Sequence, residues 1–306
     1  MRSVLAAFLL IASPAPGGEA FVTNQGSNTV SIVDLERAEV VATVPVTGRP
    51  AGVTVAPDDF VYVTRPEDKK VSVLDPQSRK TVSEIALGSG PLGIAANPVT
   101  GDVYVADWNE DVIFVLSDRR LAATIAVGNS PSGLAVTPDG RRLLSADRDS
   151  HQVSVIELRS GEVVGTVPVG IRPFGVTIDA AGRLAYTANV GSNDVSVIGL
   201  ATLEVIATVK VGERPYAVAL AQGRAFVTNS YGDSVSVFDT ATRQPVGLLD
   251  TGEYPEGIMA SRDGSRIYVA NWFSNTLSIV DSASLEVLAE VEVGDGPRAF
   301  GSFLLE

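Results

Sequence analysis

The sequence predicts an all-β fold, a seven-bladed β-propeller of four-stranded antiparallel blades, on three observations. A phrase of roughly forty residues recurs from about residue 20 to the end of the 306-residue chain. Its marker is a proline that opens an apolar run, at Pro50, Pro91, Pro131, Pro173, Pro215, Pro255 and Pro297, spaced 41, 40, 42, 42, 40 and 42 residues apart. Between markers lie short β-rich runs broken by turn residues, with no helical periodicity, which is the pattern of radial blades.

Residues 1–20 precede the repeat. Arg2, the apolar run Val4–Ala12 and the small-residue stretch Ser13–Gly18 have the form of a secretory signal peptide, too short to span a bilayer. Cleavage is expected between Ala15 and Ala20, because strand signal begins at Phe21. Residues 21–306 are then a single propeller domain, periplasmic or secreted, with no membrane-crossing segment. The chain has no cysteine, so ring closure supplies what disulfides would otherwise give.

One repeat shows the elements in order. Pro173–Ile178 is the first strand, and proline at its start breaks no ladder. Two residues after each proline stands a small residue, Gly52, Gly93, Gly133, Gly175, Ala217, Gly257 or Ala299, as expected where inner strands crowd an axis. Hairpin chemistry such as Asp139-Gly140 and Asp263-Gly264 leads to the second strand. The third strand carries Ser31, Ser72, Ser154, Ser196, Ser236 or Ser278, with Ile113 read as the exception. Asp34, Asp75, Asp239 and Asp281 end it and can bond the following turn. A fourth run, such as Glu204–Val211, completes the blade. The chain begins on a second strand and ends on an orphan first strand, Pro297–Leu304, so joining them builds one blade from both termini and leaves no open edge.

The segments Phe21-Val-Thr-Asn24, Tyr62-Val-Thr-Arg65, Tyr186-Thr-Ala-Asn189, Phe226-Val-Thr-Asn229 and Tyr268-Val-Ala-Asn271 resemble the YVTN family of β-propeller repeats. The resemblance covers the whole repeat region. It implies the fold, and it implies several activities that propellers share out among themselves. Exported propellers of this type accompany periplasmic quinoprotein dehydrogenase systems, and others are similar to nucleic-acid-binding propellers. Seven-bladed lactonases hold a metal on carboxylates and an asparagine in the axial channel.

Strand parity puts the Gly-x-x-Pro crossovers and the loops between second and third strands at one end of the blades, here called the crossover face. Loops on a rigid scaffold commonly carry binding. Arg49, Arg172 and Arg214 precede blade prolines, Arg298 follows one, and Arg65 and Arg148 occupy or follow the Asn position of the second strand. These guanidinium groups either ring a carboxylate or phosphate ligand, or pair with Asp107, Asp147, Asp149, Glu213, Glu253 and Asp295 along a solvated rim. Trp108 and Trp272 share one slot in two repeats, and Tyr231 and Phe273 lie in equivalent loops. Such aromatics suit an interface or a flat ligand, or they cover blade edges.

His151 is the sole histidine, so haem attachment, a Cys/His zinc site and a multi-histidine copper site have no ligand set, and no cofactor or metal is expected. His151 itself reads as a solvent-exposed loop residue, and no triad can be assembled from several bases. The 36 acidic and 23 basic residues give a net charge of −13, which argues against nucleic acid as the partner. The inner runs read as apolar, with Asp179 the one acid at an inner-strand end. That points away from lactonase-like catalysis. The expectation is an exported monomer that binds a protein partner or a small anionic ligand on the crossover face.

Overall fold

A computed structural model describes residues 18–306. The expected leader lies outside the described residues except for its last three, and the first strand already begins at Glu19. Seven sheets follow one another in chain order. Blade one holds Glu19–Asn24, Thr29–Asp34 and Glu39–Pro45, and blades two to seven open at Gly52–Val55, Pro91–Ala96, Pro131–Val136, Pro173–Ile178, Pro215–Ala221 and Pro255–Ala260. Within each blade the consecutive strands pair antiparallel in sequence order, and the C-terminal segment adds a strand to the edge of blades one and two. No helix among the described residues is long and apolar enough to cross a membrane.

Burial falls outward along each blade. Second strands are almost wholly buried, whereas fourth strands such as Glu204–Lys210 alternate between exposed and partly buried positions. The aromatic that opens each second-strand motif is the centre of its layer. Phe21, Tyr62, Tyr104, Tyr186, Phe226 and Tyr268 are all buried, and Leu144 stands in that slot in blade four. Sheet packs on sheet on both faces, which is why the strands are nearly continuous in apolar residues.

The glycine ring has a steric cause. A Cβ on Gly93 would stand 1.6 Å from the Ser132 carbonyl oxygen, and one on Gly52 2.2 Å from that of Leu92. Inner strands approach backbone to backbone there, and only the absence of a side chain permits it.

The Asn position of the second strand has a local task. Asn24, Asn189, Asn229 and Asn271 donate from Nδ2 to Ser31, Ser196, Ser236 and Ser278 at 2.8–2.9 Å. The third-strand serine is therefore the other half of that bond. Pairing also corrects the exception in blade three: Phe114 lies opposite Val105, where Ser72 lies opposite Val63, so Phe114 and not Ile113 takes the serine slot. The strand-ending aspartates behave as expected. Asp239 accepts N–H bonds from Ala241 and Thr242, and Asp281 from Ala283 and Ser284. These backbone bonds hold both carboxyls below the ordinary range.

Closure uses both termini, with more division of labour than one strand implies. Pro297 bridges Asn24, Leu304–Leu305 pairs antiparallel with Glu19–Asn24, and Phe300–Ser302 pairs parallel with Gly52–Val55 of blade two. The C-terminal segment thus ties blade one to blade two as well as completing blade one.

Candidate functional site

The crossover face is built from three recurring positions, and each can be followed around the ring. The first is the residue after the marker proline: Ala51, Leu92, Ser132, Phe174, Tyr216, Glu256 and Arg298. Ala51, Leu92, Phe174 and Tyr216 pack in one cluster with Phe300 at the axis, whereas Ser132 Oγ bonds the Ala146 and Phe174 carbonyls. Phe174 and Tyr216 stack with ring centroids 4.3 Å apart, and Phe300 closes the triangle at 5.0 and 5.5 Å. The aromatics form a floor across the axis.

Set into that floor is an ionic group. Arg298 Nε lies 3.1 Å from Glu256 Oε2, and the same guanidinium donates to the Tyr216 hydroxyl from Nε at 2.9 Å and from Nη2. Glu256 is 5% exposed, and its Oε2 accepts no aligned hydrogen bond. Burial pushes the Glu256 carboxyl up, and the guanidinium offsets this only in part. Burial likewise pushes the Tyr216 phenol far up, so it stays a neutral hydroxyl. Glu256 corrects the sequence reading, which counted Asp179 as the only inner-strand acid. Asp179 instead accepts the Arg183 and Leu184 N–H groups at 2.6 and 2.9 Å in its hairpin.

The second position is the first residue of each loop between second and third strands, which leans toward the axis. Trp108 packs on Phe174 at 6.0 Å, and the Arg148 guanidinium covers its outer face at 5.2 Å. Trp272 stands over Arg298 at 5.9 Å. Both tryptophans are half-buried. They edge the floor and leave part of each ring to solvent.

The third position explains the arginines. The residue before each marker proline meets the second residue of the next blade's loop. Arg49 pairs with Glu67 at 3.6 Å, Ser130 donates to Asp149 at 2.9 Å, Arg214 lies over the Tyr231 ring at 4.1 Å, and Tyr254 meets Phe273 at 5.0 Å. For Arg172 the facing residue is Gly191, whose N–H bonds the Ile171 carbonyl and which offers no side chain. Arg49, Arg172 and Arg214 all adopt left-handed φ of 51–57°. Their N–H groups are held by the last loop residue: Asn28 and Asn193 Oδ1, each at 2.9 Å, for Arg49 and Arg214, and His151 Nδ1 at 3.2 Å for Arg172. His151 therefore does in one blade what asparagine does in others, on an exposed loop as expected.

The nine candidate residues separate by these contacts. Arg65 is 4% exposed and spends its guanidinium on Thr47, Ser72, Asp68 and Glu84. Lys70, and then Arg65, hold the Glu84 carboxyl below the ordinary range. Arg49 and Arg65 thus sit apart, in the sector of blades one and two. Arg148, Arg172 and Arg214 come together, with Asp149 and Glu213, around a depression of about 600 Å³ on blades four and five and the crossover into blade six. Arg148 pairs with Asp149 at 2.7 Å. Arg172 and Arg214 are exposed and, among the described residues, have no carboxylate within 4.0 Å.

From Arg214 an aromatic row continues the arc: Tyr231, 48% exposed, lies 5.4 Å from Tyr254, and Phe273, 63% exposed, ends it. Tyr254, Glu256, Phe174 and Tyr216 were not picked out by sequence reasoning. Aligning the copies on the proline and comparing the next residue would have found three of them. Among the described residues, no three His, Cys, Asp or Glu side chains converge as a metal site.

Residues 118–304 match the family model described as a YNCE-like β-propeller. No curated protein matches the chain. Among solved structures, a chain from the hydrazine synthase of Kuenenia stuttgartiensis is 22% identical, with 92% of this chain and 99% of that chain covered and a TM-score of 0.77. A functionally unknown protein from Desulfotomaculum acetoxidans is 14% identical over 93% of this chain and 99% of that one, with a TM-score of 0.78. A dihydro-heme d1 dehydrogenase is 19% identical over 96% of this chain and 76% of that one, with a TM-score of 0.69. At these identities the likeness is one of fold.

Proposed function

This chain belongs to the YNCE-like β-propeller family, and on that premise we propose that it is an exported, non-catalytic binding protein whose crossover face takes an anionic group of a partner protein or small ligand. One observation carries this reading: Arg172 and Arg214 border one depression with no carboxylate partner, on a chain of net charge −13. Two unpaired guanidiniums held by neighbouring crossovers favour a carboxylate or phosphate between them. The adjoining row of Tyr231, Tyr254 and Phe273 offers flat apolar contact of the kind that anchors interfaces. The resemblance to exported propellers of the YVTN type supports a periplasmic setting beside a quinoprotein dehydrogenase system. A lactonase-like hydrolase is less well supported, because Glu256 is engaged by Arg298 and, among the described residues, no three His, Cys, Asp or Glu side chains converge as a metal site.

Changing Arg172 and Arg214 to Gln together leaves folding intact, since neither side chain bonds a strand. It weakens binding by about 1.5–3 kcal/mol for each charge-assisted bond lost. The partner recovered with the native protein, titrated against both forms at two salt concentrations, measures this. The loss is larger at low salt. Equal affinities for the two forms would leave these arginines as ordinary rim residues. Export is read separately from the intact mass of the native protein, which lacks the first 15–20 residues; a full-length mass overturns that part of the reading.

A further inference from the structure

Behind the aromatic floor the axis is open. The inner strands enclose a channel of about 1080 Å³ that runs from the glycine ring to the hairpin face. Phe174, Tyr216 and Phe300 shut its crossover end, each less than a tenth exposed. The channel is therefore a blind pit with a single mouth, at the upper end of the roughly 300–1,000 Å³ typical of small-molecule sites.

Its wall carries a ring of aliphatic side chains, with Thr54, Thr177 and Ser302 among the polar residues that also line it. Counting the marker proline as one, the sixth residue of each inner run is Val55, Ala96, Val136, Ile178, Leu220 or Ala260, with Ser302 in the closing blade. The six apolar residues are each partly exposed, and the surface they show is the pit wall. No charged side chain interrupts this ring.

Charge returns at the mouth. The Glu306 carboxylate accepts the Arg262 N–H at 2.6 Å, and Asp179 is engaged in its own hairpin. Arg224 donates to the Ser282 and Ala283 carbonyls. Asp59 is exposed. The guanidinium groups of Arg183 and Arg262 are exposed and, among the described residues, have no carboxylate within 4.0 Å. Two of the three acids are thus held by backbone N–H groups, the third, Asp59, is exposed, and two cations at the same rim have no carboxylate partner among the described residues.

We propose that this pit is a second binding site, independent of the crossover face, for a small anionic amphiphile: an aliphatic chain lies against the apolar ring and its carboxylate meets Arg183 and Arg262. Water against the aliphatic ring makes no hydrogen bonds with those side chains, so displacing it there with methylenes is favourable. The arginines at the mouth orient the ligand head-outward, since a carboxylate among the valines and leucines would lose its solvation.

Calorimetric titration of the native chain with dodecanoate, octanoate and dodecyltrimethylammonium tests this. Dodecanoate saturates at one per chain. Octanoate, four methylenes shorter, binds on the order of 250-fold more weakly, from roughly fourfold per methylene buried. The cationic amphiphile does not saturate. Arg183→Gln with Arg262→Gln weakens dodecanoate at least tenfold, and Ala96→Phe with Ala260→Phe, which fills the pit, removes its binding. Arg172→Gln with Arg214→Gln changes nothing, so this site and the crossover face stand or fall separately. Three results overturn the proposal: no saturable dodecanoate binding, equal affinity for the two chain lengths, or undiminished binding in a folded Ala96→Phe, Ala260→Phe chain. The chain-length comparison requires no variant and decides the matter even where the filled pit fails to fold.

Discussion

Deleting Pro297–Glu306 destabilises the chain by at least about 5 kcal/mol, because the segment closes the ring in three places. Arg298 N–H donates to the Thr23 carbonyl at 2.7 Å, Ala299 N–H to Thr23 Oγ1 at 2.9 Å, and Phe303 accepts from Phe21 N–H at 2.8 Å. Phe300–Ser302 also pairs with blade two. Phe303 is fully buried against the first blade, and Phe300 belongs to the axial floor. Removing one buried phenylalanine costs about 3–5 kcal/mol, and the deletion removes two and exposes the edge of Glu19–Asn24. Freed chain entropy returns part of this. Domains hold only about 5–15 kcal/mol in total, so the truncated chain sits near its unfolding threshold. A drop of 5 kcal/mol corresponds to a melting midpoint lower by about 10 °C or more. Phe303→Ala, which keeps Arg298 and the ladder, loses about 3–5 kcal/mol. A truncated chain that melts with the parent would falsify closure by this segment.

That closure was legible because the proline phase alone shows a second strand at the start and an unmatched first strand at the end. Blade strands, turn aspartates and the glycine ring were legible for a related reason: each answers a backbone demand that recurs seven times, so the residue recurs too. The finer division of the last segment between two blades was not, since parallel pairing of Phe300–Ser302 with Gly52–Val55 leaves no mark on either sequence. The serine slot in blade three was misread for want of a register, because Ile113 and Phe114 are both apolar and only the pairing separates them.

At the site, residue types were readable and partnerships were not. Arg49, Arg172 and Arg214 share one local spelling, Gly-x-Arg-Pro or Gly-Arg-Pro. What distinguishes them lies about twenty residues downstream, where the facing loop position is Glu67, Gly191 or Tyr231. Once that contact is known, the arginines that face no carboxylate can be picked out by eye. The axial slot was overlooked for the opposite reason. Its seven residues have nothing in common, and Glu256 is hidden between a proline and a glycine that plainly build the blade.

Arg298→Ala costs about 3–5 kcal/mol at neutral pH, because it leaves the 5% exposed Glu256 carboxylate without its cation. It also frees the Tyr216 hydroxyl, which two guanidinium N–H groups now hold. The pH dependence separates a charge effect from lost packing. Burial already raises the Glu256 carboxyl above its ordinary range with Arg298 opposing, so removing the arginine raises it further. A carboxyl whose folded pKa lies above its unfolded value keeps its stability below the unfolded pKa, about 4.3, and loses it as pH rises through the folded pKa. The deficit of Arg298→Ala relative to the parent is therefore largest near pH 7 and shrinks as pH falls toward 4. Differences between the two proteins at each pH cancel the titration of the other carboxylates, Asp263 among them, whose pKa is lowered to about 2. Glu256→Gln with Arg298→Met removes both charges at similar volume and restores most of the loss at every pH, since a buried pair is seldom worth more than well-packed neutral groups. Urea unfolding of the three proteins at pH 7 and pH 4 measures all of this. A deficit that is the same at both pH values assigns the floor's stability to packing of the arginine stem on Tyr216 and Trp272 rather than to its charge.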